Sequence, residues 1–154
     1  MVDVAVSRIV HLVFAALWAG SVLYVALVVL PLARDGGFRR TEPLATLSGK
    51  LTTISRASAV VLLLTGGHLA GRGYSAESLL ETANGQLVIV MTALWILLIG
   101  LVEVGSSRLS DGLEAKKLRE PARDVLPIFR AGAVVAVALL VVAGVITTGA
   151  TQLL

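Results

Sequence analysis

The two histidines of this chain, His11 and His68, are the residues best suited to bind a metal or a cofactor. Each lies in a long apolar run, where a polar ring is usually either paired or functional. At about 1.5 Å per residue, His11 lies roughly 10 Å and His68 roughly 5 to 9 Å inside the membrane, counted from the same side. Two imidazoles at matched depth on antiparallel helices could supply both axial ligands of a haem b iron.

Two arginines accompany the histidines. Arg8 precedes His11 by three residues and Arg72 follows His68 by four, so each arginine shares a helix face with its histidine. The propionates of a haem usually point to the membrane interface, and guanidinium groups hold carboxylates by paired hydrogen bonds. The spacing therefore favours a haem whose propionates contact Arg8 and Arg72.

Small and aromatic residues complete the predicted cofactor site. Gly66 and Gly67 beside His68 would let a flat macrocycle approach the helix backbone, and Trp18, two turns from His11, could pack against it. A simpler interpretation stays open. Histidines near helix ends bond across helices, interfacial arginines reach toward lipid headgroups, and glycines serve close packing.

Copper is the alternative metal for the same histidines. Met91 lies about 9 Å inside the third apolar run, and thioether and imidazole ligands suit Cu(I), so His11, His68 and Met91 could form a copper site. Arg8 and Arg72 would repel the cation unless an anion intervened. A lone methionine in an apolar helix usually serves packing. The chain has no cysteine, which excludes disulfides, thiolate sites and iron–sulfur clusters.

One further pair of charges lies within the apolar runs. Arg56 and Glu103 are each a few residues from the end of a run, and they are predicted to form a structural ion pair between the second and third helices. A proton or substrate relay is the functional alternative for this pair. No nucleotide-binding loop, carboxylate metal cage or hydrolase triad is present, so no catalytic residue is assigned.

The composition sets the fold class. The chain has 154 residues, of which 56% are hydrophobic and 15% charged, and its mean hydropathy is +0.91, which is too apolar for a soluble domain. Apolar runs at about 4–32, 49–70, 85–105 and 128–150 predict four membrane-spanning helices in a single domain. The third helix is predicted to continue through the polar stretch 106–119, with Pro121 as its stop. The predicted fold is all-α, an up-down-up-down four-helix bundle.

Basic residues indicate how the bundle is oriented. Eleven lysines and arginines fall on one side of the predicted membrane and only Arg8 and Arg72 on the other. The eleven are Arg34, Arg39, Arg40, Lys50, Arg56, Arg108, Lys116, Lys117, Arg119, Arg123 and Arg130. The positive-inside rule then predicts cytoplasmic basic loops, both termini outside the cytoplasm and a multi-pass protein of the cell membrane. The same placement beside apolar runs argues against nucleic acid as a partner.

Several segments resemble a known family. The run His11-Leu-Val-Phe-Ala-Ala-Leu-Trp18-Ala-Gly20 with the later Pro31 resembles the opening span of the copper resistance D (CopD) family, and the stretch from Ser55 to Gly66 resembles its next segment. The resemblance implies a multi-span inner-membrane protein linked to copper, with His11 as a candidate ligand. The spacing of His11 and Trp18 is also similar to that of the HemJ type of protoporphyrinogen oxidase, although the Tyr-x-Pro-Arg continuation of that family is missing.

The residues themselves favour a haem-b-binding protein of cytochrome b type that transfers electrons, with a quinone or an extracytoplasmic redox protein as partner. CopD-like copper binding or transport is the alternative. A scaffold or assembly subunit is the second alternative, because small residues of the first and fourth helices could pack helices of one chain or of a homo-oligomer. Those of the fourth helix include Ala131, Gly132, Ala136 and Gly144.

Overall fold

The protein folds as helices joined by short loops in a computed structural model, which describes residues 2–148. The helices are α1 (Val2–Arg34), α2 (Glu42–Gly73), α3 (Ala76–Glu81), α4 (Ala83–Glu114) and α5 (Arg119–Thr148). All but α3 are long and apolar enough to cross a membrane, and no strand occurs within the described range. The predicted all-α bundle of four spans is confirmed. The last two residues predicted for the fourth span, 149 and 150, lie outside the described residues.

The helices extend beyond the predicted spans mainly where the basic residues cluster. Helix α4 ends at Glu114, five residues before the predicted limit, because the chain turns at Lys116 with a φ of 59°. Pro121 does not stop this helix. It lies in the first turn of α5, where a proline needs no hydrogen-bond partner for its nitrogen. The predicted loop between the second and third spans contains α3, which Ser75 caps through a bond from the Ser78 amide.

The four long helices form a closed ring, in which α1 packs on α2, α2 on α4, α4 on α5 and α5 on α1. Short connections make neighbouring helices antiparallel. One end of the bundle carries the start of α1 and the loop between α2 and α4, and we call it the histidine end. The opposite end carries the connections from α1 to α2 and from α4 to α5, and we call it the basic end.

The buried core occupies the half of the bundle nearer the basic end. Apart from Gly85, the buried residues of each long helix lie between a level near the middle of that helix and the basic end. Their outermost members are Trp18 in α1, Leu62 in α2, Leu98 in α4 and Ala136 in α5. The helices are therefore less tightly packed at the histidine end, where His11 and His68 are only half-buried.

Proline and glycine shape this core. Pro31 has no amide hydrogen to donate, and α1 widens into a π-helical turn at Val25–Val29 just before it. Gly105 of α4 faces the ring of Phe129 so closely that a Cβ atom would lie 2.7 Å from its Cε2 atom. A glycine here lets α4 and α5 approach each other around a large aromatic side chain.

Candidate metal-binding site

His11 reaches from α1 across to α2. Its Nδ1 atom lies 2.8 Å from the Oγ1 atom of Thr65, and the same hydroxyl lies 2.7 Å from the carbonyl oxygen of Val61. A threonine hydroxyl has a single hydrogen, and a carbonyl can only accept, so that hydrogen is donated to Val61. Thr65 must then accept a hydrogen bond from Nδ1–H of His11. With this bond, the neutral imidazole carries its lone pair on Nε2, one of the two nitrogens through which histidine binds metals.

Gly66 of α2 lies in contact with the ring of His11. A Cβ atom on Gly66 would lie 3.1 Å from Cε1 and 3.6 Å from Nδ1 of the imidazole, so the ring rests directly on the α2 backbone. The neighbouring Gly67 has open space around its Cβ position. Of the two predicted glycines, only Gly66 lies against a histidine.

His68 faces the first turn of α1. Its Nε2 atom lies 3.6 Å from the Oδ2 atom of Asp3, which is too long for a hydrogen bond but close enough for electrostatic attraction. The same Asp3 oxygen accepts a hydrogen bond of 3.0 Å from Arg72. Asp3 thus lies between the His68 ring and the Arg72 guanidinium, and its negative charge compensates the positive charge of Arg72.

Both histidines belong to the α1–α2 interface, at slightly different levels. His11 contacts Thr65 and Gly66, while His68 is three residues further toward the histidine end, a rise of about 4.5 Å. Among residues 2–148, no group of three or more His, Asp or Glu side chains is arranged to hold a metal ion. A metal site in this part of the chain would therefore need ligands besides imidazoles and carboxylates.

The remaining predicted residues are more scattered. Arg8 is exposed on α1, and Trp18, seven residues after His11 on that helix, is buried in the core. Met91 is half-buried on α4. It lies twelve residues from Glu103, just as His68 lies twelve from Arg56, the partner of Glu103. Met91 and His68 are therefore at a similar level on neighbouring antiparallel helices.

Arg56 and Glu103 join α2 to α4. The guanidinium donates two hydrogen bonds of 2.8 Å to the two carboxylate oxygens, a bidentate geometry that fixes the relative height of the two helices. The pair lies at one end of an open groove of about 260 Å³, whose other residues are mainly apolar and include Trp95. The groove faces outward between the helices, away from both histidines.

A haem does not fit well between α1 and α2 at this level. An iron with two axial histidines needs the macrocycle between their rings, but the ring of His11 is already in contact with the backbone of α2 at Gly66. Arg72, the predicted partner of a propionate, is bonded to Asp3. The donor set suits a small ion better than a planar macrocycle.

The comparison with known families connects the chain with copper. The family model of copper resistance protein D (CopD) matches residues 45–149, which is more than two thirds of the chain. The chain belongs to the CopD family. It is thus a multi-pass membrane protein related to copper resistance. No curated protein and no solved structure matches it.

The CopD match covers His68, Met91 and the Arg56–Glu103 pair but begins after α1. His11 and Asp3 thus lie outside it, and their assignment rests on their contacts with α2. The family match supports the predicted CopD resemblance, while nothing in it supports the predicted likeness to HemJ-type proteins.

Sequence analysis missed Thr65 and Asp3, two residues that contact the predicted site residues. Thr65 is the only hydroxyl-bearing residue in the apolar stretch 59–70, and it lies three residues before His68, which is one helical turn. Asp3 is the one acidic residue at the start of the first span, at the depth predicted for Arg72. Matching acidic as well as basic residues by depth would have found it.

Proposed function

We propose that this CopD-family protein binds Cu(I) at the histidine end of the bundle and passes it across the membrane. The imidazoles of His11 and His68 are the primary ligands, and Cu(I) accepts such a low coordination number. Met91, at the level of His68, supplies a soft thioether as a further ligand. Because copper is the transported ion rather than a resident cofactor, a site that releases it readily is preferable to a closed cage.

The observation that carries this proposal is the hydrogen bond between His11 and Thr65. It leaves the Nε2 lone pair of His11 free and holds the ring against Gly66. In metal sites, the histidine nitrogen that does not bind the metal commonly donates such a hydrogen bond, which fixes the tautomer and the orientation of the ring.

Electrostatics are compatible with a cation at this end. The sequence places Arg72 close to His68, where an unpaired guanidinium would repel copper. In the structure Asp3 accepts a hydrogen bond from Arg72 and also lies 3.6 Å from His68. The Asp3–Arg72 pair has no net charge. Within the pair, the Asp3 carboxylate is the group next to the His68 ring, and its negative charge favours a cation there.

The proposed direction of transport follows from the positive-inside rule. The basic end carries the large loops with most lysines and arginines. We therefore place the basic end in the cytoplasm and the histidine end on the opposite side of the cell membrane. Copper would then be bound from outside. The bound ion would move inward along the bundle.

A copper uptake assay tests this function. The purified protein is inserted into liposomes that contain a coloured, membrane-impermeant Cu(I) chelator, and Cu(I) is added outside. We expect colour to develop faster than in empty liposomes, and His11→Ala to abolish the difference. Thr92→Val is the matched control, because Thr92 is exposed on α4 and bonds only its own helix. Equal rates for empty liposomes and for wild-type protein would refute transport.

A further inference from the structure

A line of polar side chains runs along the buried side of α2. Ser48, Ser55, Ser58 and Thr65 are spaced by seven, three and seven residues, the spacing that keeps residues on one side of a helix. The three serines are no more than 4% exposed. Hydroxyl groups thus continue from the His11–Thr65 contact through the core of the bundle toward the basic end.

Helix geometry places Trp18 and Ser58 at the same level of the α1–α2 interface. Starting from His11 and Thr65, which are in contact, Trp18 lies seven residues further along α1 and Ser58 seven residues back along α2. Because the helices are antiparallel and seven residues return to the same face, the two side chains lie at one level, about 10 Å deeper than His11. Trp18 is 1% exposed and Ser58 is fully buried.

Both side chains have unpaired polar atoms. Neither Nε1 of Trp18 nor Oγ of Ser58 has a hydrogen-bond partner among the residues that the structure describes. The other buried residues at this level include Ala19, Ala59 and Ala136, which have no polar side-chain atom to offer. Leaving an indole N–H and a hydroxyl unpaired in an apolar interior is costly, so buried polar groups nearly always have a partner.

We propose that the Trp18 indole and the Ser58 hydroxyl bind a buried water molecule in the centre of the bundle. The water accepts from Nε1–H of Trp18 and donates to Oγ of Ser58. Ser55, one turn away, is also buried but lines the groove between α2 and α4. Buried waters have about two to four polar partners, and Trp18 and Ser58 supply two of them. These two groups need such a bridge because they make no direct hydrogen bond.

This water gives the apolar centre of the bundle a group that can both accept and donate a proton. It lies between His11, near the histidine end, and Ser48, nearer the basic end. The proposal does not depend on copper binding, since it rests on the unpaired atoms of Trp18 and Ser58 alone.

The test uses the indole N–H of Trp18 as a probe. The chain has two tryptophans, so the Trp95→Phe variant has a single indole signal in its NMR spectrum. In detergent micelles we expect magnetisation transfer between this indole proton and water. The transfer should disappear when Ser58→Ala is added and persist when Ser107→Ala, an exposed serine of α4, is added instead. An indole proton that shows contacts with protein protons and none with water would overturn the proposal.

Thermal stability gives an independent readout that also applies if the variants give poor spectra. If the centre holds water, Ser58→Ala removes a hydrogen bond and should lower the melting temperature relative to Ser107→Ala. If the centre is dry, the same change removes an unsatisfied hydroxyl and should leave the melting temperature unchanged or raise it. The second result would contradict the proposal.

Discussion

His11 and Thr65 are joined by a hydrogen bond of 2.8 Å across the α1–α2 interface. Because the Thr65 hydroxyl donates to the carbonyl of Val61, the bond determines which nitrogen of His11 carries the proton. The Nε2 lone pair that this bond leaves on His11 is the one that we propose for copper binding.

Removing the Thr65 hydroxyl should weaken copper binding. In Thr65→Val the shape of the side chain is kept, but His11 loses the acceptor that fixes its tautomer. Loss of such an outer hydrogen bond costs about 10- to 100-fold in metal affinity. The affinity is measured by competition with a Cu(I) chelator. Thr65→Ser keeps the hydroxyl and should bind like the wild type; equal affinities for all three proteins would show that Thr65 has no such role.

Adding a methyl group under His11 should displace its ring. The Cβ atom of a Gly66→Ala variant would lie 3.1 Å from Cε1 of His11, closer than ordinary contacts, and we expect reduced copper affinity. Gly67→Ala is the matched control, since open space surrounds that position and alanine favours the helix by about 0.5–1 kcal/mol. Copper titration of both variants should affect only Gly66→Ala. Equal losses in the two would indicate a general effect on α2.

The close contact of α4 and α5 predicts a strong effect at Gly105. A Cβ atom there would lie 2.7 Å from Cε2 of Phe129, which is in the tightly packed half of the bundle. Overpacking of this kind costs about 1–3 kcal/mol, so Gly105→Ala should lower the melting temperature in detergent. Gly100→Ala on the same helix meets nothing within 4 Å and should not lower it. A Gly105→Ala variant as stable as Gly100→Ala would mean that α4 and α5 do not approach each other this closely.

The Arg56–Glu103 pair should tolerate reversal better than removal. Glu103→Gln leaves the guanidinium without its carboxylate, and we expect a lower melting temperature. Exchanging the two residues, as Arg56→Glu with Glu103→Arg, restores opposite charges on α2 and α4 and should recover part of the loss. If the exchanged protein is no more stable than the single variants, the bidentate pair does not hold these helices together.

The orientation in the membrane can be tested because the chain has no cysteine. Single cysteines at Ser75, near the histidine end, and at Lys117, near the basic end, are exposed to different sides of the membrane. With intact cells and a membrane-impermeant thiol reagent, we expect Ser75→Cys to be labelled and Lys117→Cys only after lysis. The reverse pattern would place the basic loops outside.

The sequence predicted the helices better than the contacts between them. Four long apolar runs predict four helical spans, since a helix satisfies its backbone hydrogen bonds within one segment in lipid. The end of α4 was missed because it depends on a turn at Lys116 with positive φ, for which Lys116 and its neighbours have no glycine or asparagine as a signal.

Only part of the candidate site could be predicted from the sequence. Counting residues gives the depth of His11 and His68, but the rotation of each helix decides what a side chain contacts. Only the structure shows that His11 lies on Gly66 and that Arg72 binds Asp3. Without those two contacts the sequence favours haem over copper, whereas the contact of His11 with Gly66 leaves less room for a macrocycle.

The most direct test of copper binding at the histidine end is Cu(I) titration of the purified protein without oxygen, by competition with a chromophoric chelator while the visible spectrum of the same sample is recorded. We predict copper binding without a Soret band, with affinity reduced at least about tenfold in His11→Ala and in His68→Ala and unchanged in Thr92→Val. Full affinity in both histidine variants, or a Soret band that either variant abolishes, would contradict this assignment.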